Sequence, residues 1–344
     1  MQTLTKYILL ISFLFITTTS ILSAGDNKKE NSEEEFDAGE LIMHHISDSH
    51  EWHWFDIGDE RYITPLPVIL YSKEYGLDIF LSNKFPNLVE SEYSHYVVHH
   101  DKIHAKDETV HVWDISITKN VVSILVSVIL LFSIFLTIAA RYRRNPLVAP
   151  KGLQSFFEPI IVFIRDDIAK KVIGEKKYRF YMPYLLTVFF FIWFNNLLGL
   201  LPAGANVTGN IAVTMCLALF TFIITNLSGN AHYWKHIFWT PGVPLPLRII
   251  ILPIEIVGIF TKPFSLMIRL FANITAGHII ILSFIALIFI FKTIFIAPVS
   301  IAFGLFMSFL ELFVAILQAY VFTLLSAMYI GAAVEEHGHH DEHH

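Results

Sequence analysis

The sequence predicts an all-α polytopic membrane protein, and three observations predict it. The 344-residue chain is 54% hydrophobic and 16% charged, against about 25% charged residues in a soluble domain. Apolar runs of the roughly 20 residues that a bilayer-spanning helix needs recur along it. Charge is also segregated: residues 25–120 carry 20 Asp/Glu against 8 Lys/Arg, whereas ten Lys/Arg stand between 141 and 179. Lys and Arg near membrane spans stay on the cytoplasmic side, so this asymmetry reads as topology. The expectation is about five crossings, two of them long and steeply tilted, with a cytoplasmic surface helix and a small exported subdomain.

Met1–Ala24 has the layout of a secretory signal, with Lys6, an apolar stretch from Tyr7 to Ile16 and Leu22-Ser23-Ala24 as a cleavage site. An uncleaved anchor helix is the alternative. The exported region follows, from Gly25 to Asn120. Its first part, Asp26–Glu40, has seven acids in fifteen positions and too little apolar surface to fold. Arg61–Leu81 contains Tyr62, Ile63, Val68, Ile69, Leu70, Tyr71, Ile79 and Phe80 around Gly76, a pattern of short strands and turns.

Val121–Ala140 is an uncharged 20-residue run that ends in Arg141-Tyr142-Arg143-Arg144, so it enters from outside and exits at the cytoplasm. Lys151–Arg179 sets Phe156, Ile160, Phe163, Ile164, Ile168 and Val172 at helical spacing opposite lysines, which predicts a helix on the cytoplasmic membrane surface. Pro183–Leu201 and Ile211–Leu227 form a hairpin of two spans, joined by the uncharged Pro202–Asn210.

Ile249–Ile290 and Val299–Val334 are apolar runs of 42 and 36 residues. The shorter would be roughly 54 Å long as a helix, against about 30 Å of hydrocarbon, and a tilt of about 55° reconciles the two. A break within the first run is the other solution. The acidic, His-rich tail Glu335–His344 follows on the cytoplasmic side by parity.

The chemistry lies in these two runs. Arg269 sits deep in the first, and a guanidinium cannot discharge, so it needs a carboxylate or a wet cavity. Glu311 and Glu255 are the candidates for a permanent partner inside the fold. Asn273 lies four residues on, sharing Arg269's face, and Ser265 four residues before; both are expected to look toward a partner with it. His278 lies nine residues on, on the opposite face, where Glu311 can meet it. Gln318 is two turns beyond Glu311 on nearly the same stripe. A His and a Glu inside a membrane make a proton relay, because His titrates near neutrality; a purely structural hydrogen bond is the plain alternative. The exported histidines (His44, His45, His50, His53, His95, His99, His100, His104) match no zinc-module spacing and have no cysteine beside them, so no metal and no cofactor is expected. The single cysteine, Cys216, excludes an internal disulfide, and nothing resembles a phosphate loop or a catalytic triad.

Pro263-Phe264-Ser265-Leu266-Met267-Ile268-Arg269-Leu270-Phe271-Ala272-Asn273-Ile274-Thr275-Ala276-Gly277-His278 resembles the signature of subunit a of F-type ATP synthases. Glu311-Leu312-Phe313-Val314-Ala315-Ile316-Leu317-Gln318 resembles its second signature, and Asn195-Asn196, Leu201-Pro202 and Asn210–Thr214 its central hairpin. The resemblance implies a non-catalytic proton-channel subunit of a multi-pass bacterial inner-membrane complex. Its partners would be a ring of small carboxylate-bearing subunits, peripheral-stalk subunits, indirectly a soluble catalytic head, and lipid, with no nucleic acid. It implies that Arg269 separates two half-channels, that Asn273, His278, Glu311, Gln318 and Asn210 lie along the exported-side one, and that Ser265 lies nearer the other. Some family members carry an acid where His278 stands and a His where Glu311 stands. Two other readings compete: a stand-alone transporter whose His-rich region captures a metal, and a scaffold whose buried charges only fix helix register.

Overall fold

The computed structural model describes residues 39, 42, 43 and 46–335, apart from 58–59, 87, 89, 100, 145–148, 202, 240–243, 292 and 294. The stretches read as a signal (1–24) and as acidic (26–40, apart from Gly39), together with His44, His45, His100 and residues 336–344 of the tail, lie outside the described residues. Backbone contacts divide the chain into two compact units, one built mainly on residues 49–119 and one on 120–335.

The amino-terminal unit is made of short antiparallel strands. Strands β1 (Glu51–Ile57) and β2 (Glu60–Pro65) pair as a hairpin. Strands β3 (Pro67–Ser72) and β4 (Gly76–Leu81) pair next, turning at Gly76, whose φ of 79° suits a residue without Cβ. The predicted strands of Arg61–Leu81 are therefore present. Strands β5 (Glu90–Tyr93), β6 (Tyr96–His99) and β7 (Lys102–Ala105) form a meander, and β8 (Trp113–Asp114) returns to the free edge of β3. Alternation buries Val68 and Leu70 of β3 with Tyr96 and Val98 of β6, Phe85, Leu88 and Ile103. The Tyr96 hydroxyl donates to Asp78 at 2.6 Å; its burial and that acceptor both push its pKa upward. His50, 4% exposed, meets the Asp114 carboxylate at 2.8 Å.

The second unit is helical. Helix α1 (Lys119–Arg144) carries the first apolar run and ends on its arginines. The surface segment is α2 (Leu153–Phe163), a π-helical stretch Ile164–Ala169 and a last α turn, Lys170–Ile173. It stops at Gly174, φ 93°, so the helix expected to continue to Arg179 is divided there, and Tyr178 begins α3 (Tyr178–Gly199). The hairpin partner is α4 (Ile211–Ser228), capped by the Asn210 side chain accepting from Ala212 N at 2.9 Å. A short α5 (Ala231–Phe238) turns away from it by 101°.

Helix α6 (Leu245–Phe291) runs 47 residues without a break through Pro253 and Pro263, and α7 (Ala297–Val334) runs 38. At 1.5 Å per residue these are roughly 70 and 57 Å, which fits the long-helix expectation over the broken one. Among the described residues, four helices are long and apolar enough to cross a membrane, and five when the bent α4–α5 pair counts as one span. Their outward faces are apolar, as Leu125, Ile129, Phe132 and Leu136 on α1 show. The core is Phe190, Leu185 and Ile192 of α3, Leu266 and Leu270 of α6, Phe322 and Ile330 of α7, and Ile164 and Ile168 of the π stretch. The carboxy end of α7 is pinned. Lys177 Nζ donates to Val334 O at 3.0 Å, Asn230 N to Ala333 O at 3.1 Å and Asn230 Nδ2 to Glu335 O at 2.7 Å. Gly331 lies flush on the Val172 backbone: a Cβ there would come within 2.4 Å of its carbonyl oxygen.

Candidate functional site

The intramembrane polar groups gather where α3, α6 and α7 meet, and α6 with α7 pack along one another. Helical periodicity decides which of them touch. His278 and Arg269, nine residues apart, are half a turn out of phase. His278 faces inward: its Nδ1 lies 3.0 Å from Glu311 Oε1, and its side chain is 15% exposed against 5% for Glu311. The contact has ion-pair distance without hydrogen-bond alignment, and neither Glu311 oxygen has a hydrogen-bond partner among the described residues. Gly277 makes the approach possible, and Gly199 of α3 lies alongside. A Cβ on Gly277 would stand 2.8 Å from Glu311 Oε1, and one on Gly199 of α3 would stand 3.7 Å from His278 Nε2. Sequence reasoning missed Gly277; its signal was a glycine beside an intramembrane histidine.

Arg269 is half-buried on α6, and among the described residues its one hydrogen bond is the long one to Ser265 Oγ, 3.4 Å. No described carboxylate pairs with it, so neither Glu311 nor Glu255 is its partner. Lys262, two turns earlier, places its ammonium 5.7 Å from the centre of the Tyr329 ring.

Asn273 is exposed on α6 and also reaches across to α7. Four residues advance about 400°, 40° past a full turn, and that rotation brings Asn273 Nδ2 to Gln318 Oε1 of α7 at 2.9 Å. Gln318 is thus joined to α6 one turn before the level at which Glu311 meets it, and the two α7 side chains do share a stripe. Asn210 is committed differently, its amide oxygen capping α4; an Asn just before an apolar run is the signal for that role.

A second polar layer backs the pair. Asn196 Nδ2 donates to Ala315 O of α7 at 3.3 Å, and Thr208 donates to Asn196 Oδ1 at 2.6 Å. Asn195 Nδ2 donates to Ser127 Oγ of α1 at 3.0 Å. Asn195, Asn196 and Thr208 are all buried, so this side of Glu311 is polar through the interior rather than at the lipid face. Among the described residues no three His, Cys, Asp or Glu side chains come together as metal ligands.

Ionisable groups inside apolar spans, facing the bundle interior and each other, mark an intramembrane ion pathway. A polytopic helical protein with one fixed cation and one titratable pair at its centre is of that class. The chain belongs to the ATP synthase A chain family, which matches residues 121–331. It is 49% identical over 238 residues to ATP synthase subunit a of Chloroherpeton thalassium, covering 67% of this chain and 71% of that protein. It is 51% identical over 249 residues to ATP synthase subunit a 2 of Chlorobaculum tepidum, covering 70% of each. With ATP synthase subunit a 2 of Chlorobium luteolum it shares 42% over 308 residues, 88% of this chain and 77% of that one. Residues 41–124 match a separate domain of unknown function. The chain is accordingly a non-catalytic, proton-translocating stator subunit of the ATP synthase membrane sector, and a multi-pass membrane protein.

Proposed function

We propose that Arg269 faces an ionised carboxylate on each passing subunit of a rotating ring and separates two offset half-channels. The observation that carries this is the unequal pairing of the intramembrane charges. Glu311 is taken up by His278, while Arg269 has no carboxylate partner among the described residues and donates one long hydrogen bond, to Ser265. A half-buried guanidinium in an apolar helix requires a counter-charge, and one that arrives from a moving neighbour leaves Arg269 free between visits. Its permanent charge favours the ionised ring carboxylate and blocks a proton from passing directly between the half-channels. His278 and Glu311 relay protons on one side, with Gln318 and Asn273 fixing the two helices beside them, Asn210 at the mouth of that side and Ser265 on the other.

In this reading residues 1–24 are a cleaved signal, 25–120 an exported region, 121–334 the membrane domain and 335–344 a cytoplasmic tail. The membrane is the bacterial plasma membrane, with the amino-terminal region outside. Peripheral-stalk subunits hold the chain against the ring, and the soluble head is coupled through them. The test is ATP-driven proton pumping in inverted vesicles carrying the whole complex. Arg269→Ala should assemble and hydrolyse ATP yet pump no protons. Pumping at the wild-type rate would make Arg269 a register-fixing charge and overturn the mechanism.

A further inference from the structure

The amino-terminal unit carries an unusual surface. In the sheet β4–β3–β8, the face turned away from Val68 and Leu70 is also apolar. Register places Tyr71 opposite Leu77 and Trp113, Ile69 opposite Ile79, and Pro67 opposite Leu81. The ladder continues past β8, since Ile115 N donates to Ile69 O at 2.9 Å and Ile117 N to Pro67 O at 3.1 Å. Pleating therefore sets Trp113, Ile115 and Ile117 on this same face. Ile79 is 65% exposed, Ile115 64%, Trp113 and Leu77 61% each, and no charged residue interrupts the grid. Contiguous exposed apolar surface of this kind marks an interaction site.

Chain continuity identifies what it meets. The strand that supplies its third row ends at Ile117, and Val121, the first residue of the uncharged run of α1, is four residues on. Four residues span at most about 14 Å, so that row is tethered at the surface of the bilayer that α1 enters. Trp and Tyr among aliphatic residues are the composition of the membrane–water boundary. Charge points to the same occupant in a particular way. Residues 49–119 hold 12 Asp/Glu against 6 Lys/Arg, so attraction to anionic headgroups does not hold the unit there, and burial of the uncharged face does.

We propose that the outer face of the β4–β3–β8 sheet rests in the interfacial layer of the lipid bilayer, making this unit a monotopic membrane-surface module. The test uses the assembled complex in phosphatidylcholine proteoliposomes. Cys216 is replaced by Ser, and single cysteines are introduced as Ile79→Cys, Leu77→Cys and, on the charged third sheet, Lys102→Cys. Bimane at positions 79 and 77 should be quenched by lipids brominated near the headgroup, and bimane at 102 should not. The unlabelled Ile79→Cys thiol should react with a membrane-impermeant maleimide about tenfold more slowly than Lys102→Cys, and the rates should not change with salt or on adding phosphatidylglycerol. Fast maleimide reaction at 79 without lipid quenching would show a free face and overturn the proposal. Protection from both reagents would show that protein covers it, and would overturn it equally. Because neither readout depends on pumping, failure here leaves the role of Arg269 untouched.

Discussion

Helix α6 carries two polar stations nine residues apart, and they are built in opposite ways. At His278 the charge is satisfied within the chain: Glu311 is 3.0 Å away, buried, and seated on Gly277. At Arg269 the described residues offer one long hydrogen bond, which the guanidinium donates to a serine on the same helix. The first station is a pair closed within the chain, and the second is a charge with no carboxylate beside it among the described residues. The same stretch of helix serves both because half a turn separates their faces.

The contrast is sharpest for charge removal. Arg269→Gln should abolish coupled pumping, by at least about 100-fold, which corresponds to some 2.7 kcal/mol at the barrier. Arg269→Lys should stay severely impaired, since a point-charge ammonium does not reproduce the planar fork. Equal tolerance of both replacements would erase the difference between the stations. Next in size is the pair. Single changes His278→Glu and Glu311→His put like groups together and should lower pumping by about tenfold, or 1.4 kcal/mol. The double exchange should recover most of that loss, as required of groups that act on each other; no recovery would mean the two act separately.

Gly277→Ala comes third. Its methyl would stand 2.8 Å from Glu311 Oε1, so the carboxylate must move, and pumping should drop several-fold with Arg269 function and assembly intact. The smallest effect within the membrane is expected for Asn273→Ala, which removes one hydrogen bond to Gln318 worth about 1 kcal/mol, roughly fivefold in rate at most.

Outside the membrane, the Asp114 carboxyl titrates below its ordinary value. Burial opposes ionisation there, and hydrogen bonds from His50 and Ser116 outweigh it. A depressed carboxyl stabilises the fold above the ordinary range of about pH 4 and ceases to do so as pH falls through the folded value. Hydrogen exchange at β8 should therefore quicken below about pH 4, and Asp114→Asn should exchange fast at neutral pH and lose that acid step.

Much of this was legible before any coordinates. Apolar length alone distinguished α6 and α7 as long helices, and the nine-residue offset placed Arg269 and His278 on opposite faces. The β3–β4 hairpin was readable because Gly76 separates two β-branched and aromatic runs. Strands β5, β6 and β7 were not, since each is four residues long and its turns rest on Ser94 and Asp101 at positive φ, positions no local pattern announces. The π stretch 164–169 was equally invisible, because the apolar spacing around it reads as ordinary helix.

The clamp at the end of α7 has a mechanical meaning. Glu311 lies 23 residues before Val334, about 35 Å along the axis. A sideways thrust delivered near Glu311 acts over that lever arm on the carbonyls held by Lys177 and Asn230, with Gly331 bearing on the Val172 backbone. Against such a load the end of α7 is braced by a lysine, an asparagine and the missing side chain of a glycine.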